Sequence, residues 1–148
     1  MTTLNLVVSA DNDDAEERGD GTFSSFGVSN QLRMNSSTTA SSRFSAGTRF
    51  TGAGAAKGAT IDSAIWSVWV SNNTQDNIRA DIYAEAADAA VDYATSADVD
   101  GRTLTTATVA WVATDLQGGT SQYVSPADLK TVVQEVTDRS GFGGVINI

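Results

Sequence analysis

The chain has 148 residues, 41% hydrophobic and 18% charged, with a formal net charge of −9 and neither cysteine nor histidine. One domain of this length buries about 68–70% of its unfolded surface without a metal or disulfide staple. The missing residue types exclude disulfides, thiolate chemistry, thiolate-ligated zinc and histidine-based triads, while the acidity opposes nucleic-acid phosphates and anionic membranes, both of which attract clustered Lys and Arg.

From the N-terminus, Met1-Thr2-Thr3-Leu4-Asn5-Leu6 lacks the basic and long apolar regions of a secretion signal, and no run approaches the ~20 apolar residues of a membrane helix. Together with the absence of cysteine, this is compatible with assembly in a reducing cytoplasm. Residues 3–9 read as a strand. Asp11 to Asp20 form an acidic segment in which Asp14, Glu16 and Arg18 alternate, a solvated turn running into a strand. Strand candidates follow at 22–34 and 43–50, separated by the Ser/Thr tract 35–42, an exposed loop. The Gly-Ala run 52–59 reads as a flexible hairpin, since no strand-loop-helix unit with a following Lys-Ser/Thr makes it a phosphate loop.

Alternation is clearest in residues 60–71, where Ala64, Trp66, Val68 and Val70 share one face and Ile65 and Trp69 the other. In residues 77–86, Ile78, Ala80, Ile82 and Ala84 oppose Arg79, Asp81, Tyr83 and Glu85. Residues 85–93 are alanine-rich but lack a helical stripe, so a turn or one helical turn is expected. A further strand is expected at 102–112 and a terminal one at 145–148. One segment has helical grammar: Ser125 as cap, Pro126 at the first helical position and Asp128 at the positive end of the dipole. Leu129, Val132, Val133 and Val136 then recur at i, i+3, i+4, i+7, which predicts a helix over 126–138. About seven strands and one helix without βα alternation give a mainly all-β fold, an antiparallel sandwich occupying residues 1–148 as a single domain.

Chemistry-bearing constellations are sparse. A serine or threonine nucleophile is left with Lys57, Lys130 or a carboxylate as base; neither lysine lies in a nucleophile motif, and the four glutamates, Glu16, Glu17, Glu85 and Glu135, form no recognisable acid pair. No enzyme activity is expected. Asp11, Asp13, Asp14 and Glu16 supply the hard oxygens calcium prefers, although Ala15 and Glu16 break the EF-hand pattern. Calcium is thus the one cofactor the acids admit, and none is required. Arg18-Gly19-Asp20 spells an adhesion tripeptide, and Asn35-Ser36-Ser37 and Asn72-Asn73-Thr74 match glycosylation sequons that matter only in a secreted eukaryotic chain. Among the aromatics, Trp66 belongs to the core face, whereas Trp69 is a surface anchor candidate that stacks a sugar or enters a protein partner.

Several segments, in order, resemble a known family: Asp13-Asp14-Ala15-Glu16-Glu17, Gly47-Thr48-Arg49-Phe50, Gly58-Ala59-Thr60-Ile61-Asp62-Ser63-Ala64, Ile82-Tyr83-Ala84-Glu85-Ala86, and Gly101-Arg102-Thr103 to Trp111. Ser125-Pro126-Ala127-Asp128-Leu129, Val133-Gln134-Glu135-Val136 and Arg139-Ser140-Gly141-Phe142 complete the series. The set is similar to a jelly-roll module of tailed-phage virion surface proteins, also found in secreted bacterial multidomain proteins beside carbohydrate-binding modules. Family members commonly continue past the position where Gly143-Gly144-Val145-Ile146-Asn147-Ile148 ends this sequence, which leaves either a terminal strand or an edge for a neighbouring subunit.

The resemblance implies a jelly-roll β-sandwich and two functional readings. The first is a non-enzymatic virion structural protein, a capsid decoration (cement) protein that binds the major capsid protein or other virion proteins, assembled in the host cytoplasm. A homo-oligomer is expected, a trimer being compatible with capsid symmetry axes. The alternative is a carbohydrate-binding or receptor-binding module. Trp69, Tyr83 and Tyr123 are the partner- or glycan-binding candidates under either reading.

Overall fold

The computed structural model describes residues 3–8, 10, 12–26, 39–70, 78–94, 98–113 and 122–148. The fold is mainly β, with antiparallel sheets and one helix. The largest sheet has the order β2-β1-β3-β8, built from β1 (Asp14–Arg18), β2 (Phe23–Phe26), β3 (Phe44–Phe50) and β8 (Ile146–Asn147). β4 (Val68–Val70) pairs with β7 (Gln122–Val124), and β5 (Ile78–Ile82) with β6 (Val109–Ala113). The helix, α1, spans Lys130–Thr137.

The apolar core gathers where α1 meets the sheets. Leu129, Val132, Val133 and Val136 are all buried, so the helical stripe faces inward as its spacing predicts, against Ile82, Ala84, Trp111 and Ile146. Trp66 leans on this cluster and meets Trp111 edge-to-face, with ring centroids 6.0 Å apart. The alternation in β4 and β5 holds as well: Val68 and Ile82 point in, while Trp69, Arg79 and Asp81 point out.

Five local expectations are corrected. The helix begins at Lys130, not at 126, because Pro126 is buried in irregular chain and the Ser125 hydroxyl pairs with that of Ser67 at 2.9 Å. Asp128 takes over the role of Ser125: its Oδ1 accepts the N–H of Lys130 (2.9 Å) and that of Ala64 (2.8 Å), tying the helix start to the chain leading into β4. Residues 52–59 form no hairpin; they are a loop pinned at two points, by Ala53 N–H to the Gly144 carbonyl and Gly58 N–H to the Thr137 carbonyl, both 2.9 Å. Gly58 has φ of +71°, a conformation that lets it reach the helix C-terminus without the strain a side chain brings.

Residues 3–8 join no ladder, and the acidic segment is not a solvated turn. β1 lies between β2 and β3, so Asp14, Ala15, Glu16 and Glu17 are all buried, Glu16 almost completely. Residues 85–93 form no helical turn; they cross over the sheet in irregular chain, with one bridge from Glu85 to Leu104. Strand β7 was not legible in advance, because three residues are too short to establish a period. Parts of the expected strand 22–34 and of the Ser/Thr tract, together with Asp11 and both sequons, lie outside the described residues.

Candidate functional site: an outward aromatic and hydroxyl ladder

β4 and β7 pair in register Val68 with Val124 and Trp69 with Tyr123. Inward residues Val68 and Val124 pack on the core, which forces their neighbours outward. Trp69 is 53% and Tyr123 72% exposed, and their rings meet at 4.6 Å between centroids with an interplanar angle of 63°. Two of the three aromatic candidates from the sequence are therefore a single cross-strand pair. Tyr83 is not part of it; it lies just past β5, half-buried, and no ring contact among the described residues joins it to the pair.

The ladder continues past the strand ends. Ser67 and Ser125 sit one outward position further, both exposed, with their hydroxyls 2.9 Å apart. Beyond them Ile65 is exposed by 63% and Ala127 is also exposed. Aromatic pair, hydroxyl pair and aliphatic position thus follow in order on one face, and none of these outward positions carries a charge. Sequence alternation found Trp69, but the hydroxyl rung had no signal of its own, because nothing local links Ser67 to Ser125 across 58 residues.

The acidic residues go elsewhere. Asp13 Oδ1 binds Arg49 Nη1 at 2.7 Å, and Arg49 Nε also reaches the Ala90 carbonyl. Asp14 and Glu16 lie on β1 inside the sheet. Among the described residues no three acids converge in a group able to hold a metal ion, and Asp11 lies outside them. Glu17 accepts the Asp100 N–H at 3.1 Å, and Glu135 accepts the N–H groups of Thr106 and Ala107, both at 2.8 Å. These two backbone bonds, that of Ala107 foremost, hold the Glu135 carboxyl below its ordinary range.

Glu85 belongs to a clasp centred on Arg102. The Arg102 guanidinium bonds to Glu85 Oε2, to the carbonyls of Val91 (2.9 Å) and Asp92 (2.7 Å), and its Nε to the Asp98 carbonyl. It also lies 4.3 Å from the centroid of the buried Tyr93 ring. Asn147 Nδ2 bonds to Glu85 Oε2 and the Val91 carbonyl, so β8 is stitched to the same crossing chain. Burial raises the Tyr93 phenol well above its usual value, outweighing the downward pull of Arg102.

The Arg18-Gly19-Asp20 tripeptide forms the tight tip between β1 and β2. Its Arg18 and Asp20 side chains face each other at 3.3 Å, and Asp20 also accepts the Thr22 N–H at 3.0 Å, so both charges are engaged within the turn. Comparison of the chain with protein-family models, with curated proteins and with solved structures gives no match.

Proposed function

We propose that this chain is a non-enzymatic virion structural protein of a tailed phage, a capsid decoration protein of jelly-roll architecture that binds and cements the outer shell. The observation that carries the reading is the N-terminal stretch 3–8. Leu6 packs on the core, yet Leu4 is 45% and Val7 73% exposed, and no backbone hydrogen bond between described residues involves this stretch. A stretch with exposed apolar side chains that joins no ladder among the described residues is what the edge strand of a neighbouring protein takes up, through main-chain bonds and pockets for alternate side chains. The mainly antiparallel fold and the sequence resemblance to phage surface modules support the same reading.

The partner in this reading is the major capsid protein, and the decoration forms a homo-oligomer, a trimer where it sits on a threefold axis. Because the complete docking surface exists only on the assembled shell, binding stabilises the shell over free protomers by mass action. No helix among the described residues is long and apolar enough to cross a membrane, in keeping with a part added to particles in the host cytoplasm. The test compares shells with and without the protein. Stoichiometric co-sedimentation and a raised disruption temperature are expected, and Leu4→Ser with Val7→Ser weakens both. Equal heat and osmotic resistance of bare and decorated shells rejects the cement role.

A further inference from the structure

We infer that the outward face of β4 and β7 is a binding site for a neutral polysaccharide, gripped by Trp69 and Tyr123 and hydrogen-bonded by Ser67 and Ser125. The site is separate from the N-terminal stretch assigned to shell docking. Three properties of the face select this ligand class.

The first is the order of chemistry along the ladder. A sugar ring has apolar C–H faces and a rim of hydroxyls, and it needs an aromatic surface and polar partners within a few ångströms of each other. Outward positions on a strand recur about every 7 Å, so the hydroxyl rung stands one such step from the aromatic rung. In an edge-to-face pair, the ring supplying the edge keeps both its faces clear of the other, and 63° between planes with 53% and 72% exposure leaves aromatic surface open to solvent. Ser67 and Ser125 have a mutual bond at 2.9 Å, which orients them, and each oxygen retains a lone pair for a ligand hydroxyl.

The second property is charge. The chain carries 18 acids against 9 bases, yet Ile65, Ser67, Trp69, Tyr123, Ser125 and Ala127 are all uncharged. A neutral ligand meets no desolvation cost for a buried charge here, whereas an anionic polymer is repelled by the net −9 of the whole chain. The third is size. The described part of the face, two strands wide and three rungs long, spans about 10 by 14 Å, enough to seat a short run of sugar rings.

Affinity electrophoresis of the full chain in gels containing soluble neutral polysaccharides, namely dextran, mannan, xylan, galactan and mixed-linkage β-glucan, tests the inference, with alginate as the anionic comparison. Retardation by at least one neutral polymer and none by alginate is expected. Trp69→Ala weakens that binding roughly tenfold or more, as loss of a central aromatic anchor does, and the double change Ser67→Ala with Ser125→Ala weakens it several-fold. Tyr83→Phe leaves it unchanged. Trp69 is half exposed, so its variant folds, and unchanged circular dichroism verifies that. Wild-type mobility unaltered in all five neutral gels, or Trp69→Ala binding as tightly as wild type, overturns the inference. Shell co-sedimentation of the same variant separates the two sites. Loss of sugar binding with shell binding intact supports both readings; loss of shell binding alone makes the face a protein contact and overturns the glycan assignment.

Discussion

Replacing Arg102 with alanine is expected to destabilise the protein more than any other single charge removal among the described residues. The guanidinium donates to three carbonyls and one carboxylate and stacks near a buried ring, with only 9% of the side chain exposed. Each neutral hydrogen bond contributes about 1 kcal/mol net, and a shielded cation–π contact about 1–2 kcal/mol. Breaking a buried ion pair from one side costs ~3–5 kcal/mol, but Glu85 keeps Asn147 as a donor, which softens that term. These contributions overlap, since the same desolvated group makes all of them. A loss of about 3–5 kcal/mol is therefore expected, against a total stability of ~5–15 kcal/mol for a domain. Urea unfolding followed by tryptophan fluorescence reads it directly, because Trp66 and Trp111 pack at the core and report its opening. Arg102→Lys restores the charge but not the fork of donors, and it is expected to recover less than half of the loss. A change under ~1 kcal/mol for Arg102→Ala, or full rescue by lysine, refutes the clasp as the element that holds the crossing chain.

Gly47 is the second point of leverage: a Cβ there lies 2.5 Å from the Tyr93 hydroxyl and ring, so Gly47→Ala costs about 1–3 kcal/mol by overpacking, and Gly47→Ala with Tyr93→Ala in one chain costs less than the sum of the two changes. Acid sensitivity follows from Glu135 and Asp128, whose folded pKa values are lowered, Glu135 chiefly by the Ala107 N–H and Asp128 chiefly by the Ala64 N–H. A depressed carboxyl binds fewer protons folded than unfolded, so this stability is complete above the ordinary carboxylate pKa and is lost as pH falls through the folded one. The urea midpoint measured stepwise from pH 6 to pH 3 therefore drops, and Glu135→Gln flattens the drop; an identical pH profile for the variant removes Glu135 from the account.

Local periodicity carried much of the fold. The stripe Leu129, Val132, Val133 and Val136 had to be helical and inward because those four positions share a side only at 3.6 residues per turn, and they are buried together. Trp66 inward and Trp69 outward followed from a period of two in the same way, since adjacent strand residues point to opposite faces. The helix start departs from the local pattern for a non-local reason: Ser125-Pro126 has the grammar of a cap, but the Ser125 hydroxyl is claimed by Ser67, 58 residues away.

Composition and periodicity alone determined a mainly β chain with one amphipathic helix, no thiol or imidazole chemistry, and an aromatic side chain turned to solvent. Only the tertiary structure decided that the acidic segment is the interior strand of a sheet, with Asp13 meeting Arg49 from 36 residues away, and that Glu85, Arg102 and Asn147 form one clasp. It also decided that Trp69 stands beside Tyr123 and one rung from a serine pair. The physical reason is that burial of an apolar face leaves a periodic trace within a few residues, whereas a charge or hydroxyl is made compatible with its place by partners far along the chain, which no local pattern records.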